Sequence, residues 1–248
     1  MLVSHKYRFI FIKNGRVAST STELFFEQYC ISDDTINKYN YDLTNLSKNQ
    51  RTKWDKSIID SCGIVPARPY RKNNDTYWPH MPLCDVKQLL PQDRFESYIK
   101  FANIRNPWDS IVSQYYFARG RMIRDGTFHG LMLSPDQTFE QWLIWITNNL
   151  TEYRERRIFR HNYQRIIDIS SGEPGLDHVI RYEHLNEDIE KMCKITGITD
   201  YNIDKVPLVN HKVRSIKKCY RSYYTSPELI AIVNHLCKDI VDLGNYEF

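Results

Sequence analysis

The sequence predicts an α/β fold, a central parallel sheet flanked by helices on both faces in a single domain. Three observations lead there. Tyr7–Ile12 and Tyr98–Ile104 are nearly continuous apolar runs, the pattern of strands buried on both sides. Each passes through a short turn into a segment with helical spacing. A third run, His178–Leu185, does the same, and strands alternating with helices give a sheet covered by helices.

Taken in order, Tyr7–Ile12 is the first strand and Ser19–Cys30 the first helix, with Ser19 or Thr20 as its cap and Glu23 in its first turn, as a capping box requires. Ile31–Thr76 is polar and reads as a variable insertion of one or two short helices and a long loop. His80–Pro91 is a short helix stopped by proline. After the Tyr98–Ile104 strand, Pro107 opens a helix to about Arg119. Gln137–Leu150 is a helix apolar on most of its faces, hence buried. The segment after the third strand is a helix ending near Gly197, and "SPELIAIVNHLCKDIVDLG" is one terminal helix with proline at its start and glycine at its end. Trp142, Trp145, Tyr115 and Tyr116 fall on helix-spaced faces and are expected in the core.

With 248 residues, 42% of them hydrophobic, the chain suffices for one sizeable domain with a real core. A net charge of +4 is small for a protein that coats nucleic acid, so no nucleic-acid partner is expected. The six cysteines form no C-x-x-C pair, which argues against zinc and for free, mostly buried thiols. No apolar window is long enough for a membrane span, and the first residues are too interrupted for a signal peptide. The expected location is cytoplasmic.

The chemistry lies in two strand–turn–helix segments. In "FIFIKNGRVASTSTELFF" the turn holds Lys13, Gly15, Arg16, Val17, Ala18, Ser19, Thr20 and Ser21. A strand turning directly into a helix exposes backbone N–H groups and the positive end of the helix dipole. Small residues admit an anion, and Arg16 adds a fork of donors. In "FANIRNPWDSIVSQYYF", Arg105 closes the strand and Ser113 follows two turns into the helix, a pair able to grip a phosphate. The plainer reading is a capped helix in each case, with Arg105 paired to Asp109. Two such loops suit a ligand with two anionic groups, such as a nucleotide carrying 5′ and 3′ phosphates.

Together "RVASTS" and "YIKFANIRNPWDSIVSQYYF" resemble the sulfotransferases that use 3′-phosphoadenosine-5′-phosphosulfate (PAPS), closest to the soluble branch related to the glycan O-sulfotransferases. The resemblance extends through "IRYEHLNEDIEKMCKITGI" and the final helix. It implies a P-loop-like sheet, a first loop for the 5′-phosphosulfate, and Arg105 with Ser113 for the 3′-phosphate. It implies transfer of a sulfuryl group to a hydroxyl, with a carbohydrate or small alcohol as acceptor and no metal. The family's loop lysine falls at Arg16, with Lys13 in reserve for its role. It further suggests that the basic stretch near Lys212 and Arg214 closes over the nucleotide.

An alcohol acceptor must lose a proton, and His80, between the two cofactor segments, is the expected general base. The resemblance places a catalytic histidine in that interval. The bland alternative has His80 packing on Trp78 and capping a helix, and Glu23 is the second choice of base. Two other classes stay open: a nucleotide-binding kinase-like enzyme, disfavoured by the missing G-x-x-x-x-G-K-[ST] loop, and a catalytically inactive PAPS- or polyanion-binding protein.

Overall fold

The computed structural model describes residues 1–49, 54, 56–67, 76–125, 134–149, 162–168, 171–207 and 218–248. Its contacts divide the chain into two compact units, Met1–Ile104 with Arg165–Val209, and Arg105–Gln164 with Asn210–Phe248.

The first unit holds the sheet. Strand β1 (Leu2–Ser4) turns at His5–Arg8 into β2 (Phe9–Ile12), and the hairpin pairs Leu2 with Phe11 and Ser4 with Phe9. Every residue of both strands is buried, so the pair reads as interior sheet. Helix α1 (Ser19–Glu27) follows, then two short helices, α2 (Asp33–Lys38) and α3 (Leu46–Asn49). A second hairpin, β3 (Ile58–Ile59) and β4 (Gly63–Val65), joins β1 antiparallel through β4. At Gly63 a side chain is excluded, because its Cβ would lie 2.0 Å from the Val3 carbonyl oxygen.

Helices α4 (Leu83–Leu89) and α5 (Gln92–Ser97) lead into β5 (Ile99–Ile104), which pairs parallel with β2, Phe9 opposite Ile99 and Ile12 opposite Ala102. Strand β6 (His178–Arg181) pairs parallel with β5 on its other side. The order is β3-β4-β1-β2-β5-β6. The sheet is therefore mixed. The expected parallel arrangement holds for β2, β5 and β6, and the antiparallel half arises from two short hairpins that the sequence reading passed over. The supposed insertion is partly core, since Tyr41, Leu46, Trp54, Ile58 and Val65 pack in one cluster with Phe9, Phe26 and Phe101. Helix α9, Leu185–Thr196, ends as expected at Gly197, whose φ of 74° provides the left-handed cap. Before it, α8 is the short turn Tyr163–Ile166.

The second unit is helical. Helix α6 (Pro107–Asp125) runs past the expected end, and α7 (Phe139–Asn148) begins with a capping box between Thr138 and Gln141. The terminal helix is broken. Helix α10 (Pro227–Leu236) stops at Cys237, whose φ of −113° and ψ of 19° leave the helical region before α11 (Lys238–Gly244). Trp108, Tyr115, Phe139, Trp142 and Tyr224 form the core of this unit; Tyr115 and Trp142 lie there as the helical spacing predicts, whereas Tyr116 and Trp145, also expected in the core, are only partly buried at its margin. All six cysteines are free, and Cys30, Cys193 and Cys237 are the buried ones. Among the described residues no helix is long and apolar enough to cross a membrane.

Candidate functional site

The first loop is built on the end of β2. Its backbone enters the left-handed region twice, at Arg16 (φ 62°) and at Ala18 (φ 59°). Neither is glycine, and holding an L-residue there costs about 1–2 kcal/mol each. Left-handed residues at the entrance to a helix are one element of the backbone concavities that bind anions. Ala18 is the N-cap of α1, and its carbonyl oxygen accepts from the N–H groups of Ser21 at 2.8 Å and Thr22 at 3.2 Å.

This corrects the expected cap. Ser19 is the first helical residue and no side chain caps the helix, because Ala18 in its left-handed conformation already starts the turn. The hydroxyl of Ser19 is thereby released from capping. Ser19 is 3% exposed, and its Oγ has no hydrogen-bond partner among the described residues. A buried hydroxyl left so costs about 1–3 kcal/mol, an expense a ligand at the helix N-terminus would remove.

Glu23 also departs from the capping box. It is buried one turn further along α1, and its carboxylate pairs with Lys13 Nζ at 2.5 Å. The cation held in reserve is thus engaged by a carboxylate from the helix that it precedes.

Below the loop runs a chain of amides. Asn14 Nδ2 donates to the Asn103 carbonyl oxygen on β5 at 2.9 Å, and Asn103 Nδ2 donates to Thr22 Oγ1 at 2.9 Å. All three residues are buried. They fasten the loop to the neighbouring parallel strand and to α1. Sequence reading missed this set, although Asn103 is the one polar residue in the run Phe101–Ile104 and was a visible signal.

His80 lies ahead of α4, whose N-cap is Pro82, so it does not cap that helix. Its Nδ1 is 3.0 Å from the Lys13 carbonyl oxygen and 3.5 Å from Arg165 Nη1. A carbonyl can only accept, and the shorter contact is the hydrogen bond. Nδ1 therefore carries the proton and Nε2 the lone pair. Burial first, then the charges of Lys13, Arg165 and the Met1 amino group, push the imidazole down to about 3. His80 is neutral throughout the physiological range. Arg165, on α8, gave no signal in the sequence.

In the second unit Arg105 is 6% exposed and donates from Nε to Asp109 Oδ2 at 2.7 Å, with Nη2 joining the ion pair. Asn106 accepts from the Asp109 N–H at 3.1 Å through Oδ1 and so starts α6, and its Nδ2 donates to the Tyr220 hydroxyl at 3.3 Å. Ser113 is half-buried on α6. The Arg105–Asp109 pairing weighed from the sequence is present. Gly15, Arg16, Ala18 and Thr20 are half-buried along the first loop, and Val17 and Ser21 are buried. Lys212 and Arg214 lie outside the described residues.

No family model matches the chain, and no curated protein matches its sequence.

Proposed function

We propose that the chain is a PAPS-dependent O-sulfotransferase acting on a hydroxyl acceptor, a carbohydrate or a small alcohol. The observation that carries the reading is the first loop. It combines left-handed backbone at Arg16 and Ala18, a helix N-terminus, and a buried Ser19 hydroxyl with no hydrogen-bond partner among the described residues. These features fit a tetrahedral oxyanion. The resemblance in "RVASTS" and "YIKFANIRNPWDSIVSQYYF" then selects PAPS among the oxyanion ligands.

PAPS, when bound, supplies an activated sulfuryl group. In this reading the N–H groups at the start of α1 and the Ser19 hydroxyl hold its 5′ end. Arg16 offers permanent positive charge to the leaving oxygen, where electrostatic stabilisation contributes most. His80 takes the acceptor's proton at Nε2, while the Nδ1–H bond to Lys13 orients the ring. A base held near 3 is weak, but a multiply charged anion beside it raises its proton affinity. The resemblance assigns the 3′-phosphate to Arg105 and Ser113.

A second reading, a PAPS-binding protein without turnover, is favoured by the Lys13–Glu23 pair, which engages the only lysine of the loop. Two measurements test both. Calorimetric titration with 3′-phosphoadenosine-5′-phosphate is expected to show binding. Transfer of radiolabelled sulfate from PAPS to a panel of sugars and alcohols is expected to show turnover. Folded protein that ignores the nucleotide overturns both readings, and binding without transfer to any acceptor leaves the second.

A further inference from the structure

His80 Nδ1 faces two groups that demand opposite tautomers. The Lys13 carbonyl oxygen requires a proton on Nδ1, whereas Arg165 Nη1, a donor, requires a lone pair there. Only the first arrangement leaves Nε2 basic. The outcome depends on where the Lys13 carbonyl stands, and two contacts hold that residue. Its neighbour Asn14 is tied to β5, and its own ammonium is tied to Glu23.

We propose that Glu23 is a positioning residue for the base: by holding Lys13 through its ammonium, it keeps the Lys13 carbonyl on Nδ1 of His80 and so selects the tautomer with its lone pair on Nε2. This rests on the reading of His80 as the base in sulfuryl transfer. Glu23 touches neither the acceptor nor the nucleotide in this scheme. Its two roles are geometric and electrostatic. It anchors Lys13 from α1, the helix whose N-terminus forms the anion loop, so loop and base share one support. It also balances one of the positive charges facing the imidazole, the others being Arg165 and the Met1 amino group.

Without Glu23 the Lys13 side chain loses its anchor and its carbonyl is released from one of its two restraints. Arg165 then competes for Nδ1, the proton moves to Nε2, and the ring presents a donor where a base is needed. The pair is nearly dry, at 11% and 3% side-chain exposure, so removing one partner alone strands a charge. A double substitution, Lys13→Met with Glu23→Gln, removes the anchor without doing so.

The test is long-range proton–nitrogen NMR on the chain labelled with ¹⁵N-histidine, without nucleotide, the His80 signals assigned by their loss in His80→Gln. The wild type is expected to carry the proton on Nδ1. Glu23→Ala is expected to show the Nε2–H form, alone or in exchange with the first, and kcat is expected to fall about tenfold with the KM for PAPS unchanged. Glu23→Asp should restore the wild-type tautomer. If Glu23→Ala does not fold, the double variant is held to the same change of tautomer. A wild-type ring protonated on Nε2, or a variant ring unchanged from wild type, overturns the proposal. The tautomer is read without donor or acceptor, so its failure is distinct from a failure to bind nucleotide.

Discussion

Arg105 and Asp109 form a buried ion pair one turn apart at the entrance to α6. The arginine that the family resemblance assigns to a phosphate is therefore also the counter-charge of a carboxylate. Arg105→Ala is expected to weaken binding of 3′-phosphoadenosine-5′-phosphate by about 1.5–3 kcal/mol in calorimetry. It is also expected to lower stability in urea by roughly 3–5 kcal/mol, because the buried Asp109 carboxylate loses its guanidinium counter-charge. Arg105→Met with Asp109→Leu should recover the stability and not the affinity. That separation identifies the binding role.

Ser19→Ala should produce an uncommon pair of effects. Removing a buried hydroxyl that has no partner among the described residues is expected to raise the stability of the ligand-free chain by about 1 kcal/mol. The same change should weaken nucleotide binding about tenfold. Thermal melts with and without the nucleotide measure both. Lower stability in the ligand-free chain would mean that the hydroxyl serves the fold instead.

The left-handed backbone at Ala18 makes its side chain a sensitive position. Ala18→Val should cost about 1–2 kcal/mol or more, since a branched side chain is hard to accommodate at φ 59°. Ala18→Gly should be close to neutral, as relief of strain offsets the extra freedom of the unfolded chain. Equilibrium denaturation of the pair checks the conformation directly.

His80 gives a pH dependence with a definite sign. Its folded value, about 3, lies below the ordinary histidine value of 6.5, so the unfolded chain binds the extra proton first. The contribution is fully present above pH 6.5 and is lost as the pH falls toward 3, amounting to roughly 3–5 kcal/mol over that range. His80→Gln should lack this component when urea midpoints are compared at pH 7 and pH 4.

Nucleotide binding should take up protons. An anion beside Lys13, Arg165 and His80 raises the imidazole's proton affinity. Calorimetry at pH 5.5 in two buffers of different ionisation enthalpy is expected to show net uptake that disappears in His80→Gln.

The strand–turn–helix segments were legible because each combines an apolar run, a break and a helical period within about twenty residues. The hairpins were not. Leu2–Ser4 and Ile58–Ile59 are too short for alternation to register, and their strand state comes from pairing partners. The loop residues share one turn between β2 and α1, as the sequence placed them, whereas Ser19 is not the cap and Glu23 is not part of a capping box. A capping box and a buried Glu–Lys pair leave the same letters in a sequence, and tertiary packing decides between them. Arg165 reaches His80 from a separation of 85 residues, which no local pattern encodes.

The sheet's order also fixes when the anion loop becomes complete during folding. The β1–β2 hairpin closes across the His5–Arg8 turn, and β3–β4 closes across a turn at Asp60–Cys62. Contacts so local form early. Asn14 must wait for Asn103, 89 residues further along the chain. A growing chain that has not yet made Asn103 can hold β2 and α1 with no floor beneath the loop between them. Docking of β5 is thus the event that finishes the floor of the loop. If the loop binds the nucleotide as proposed, the ligand grips only the finished sheet and is expected to slow unfolding without changing the rate of folding.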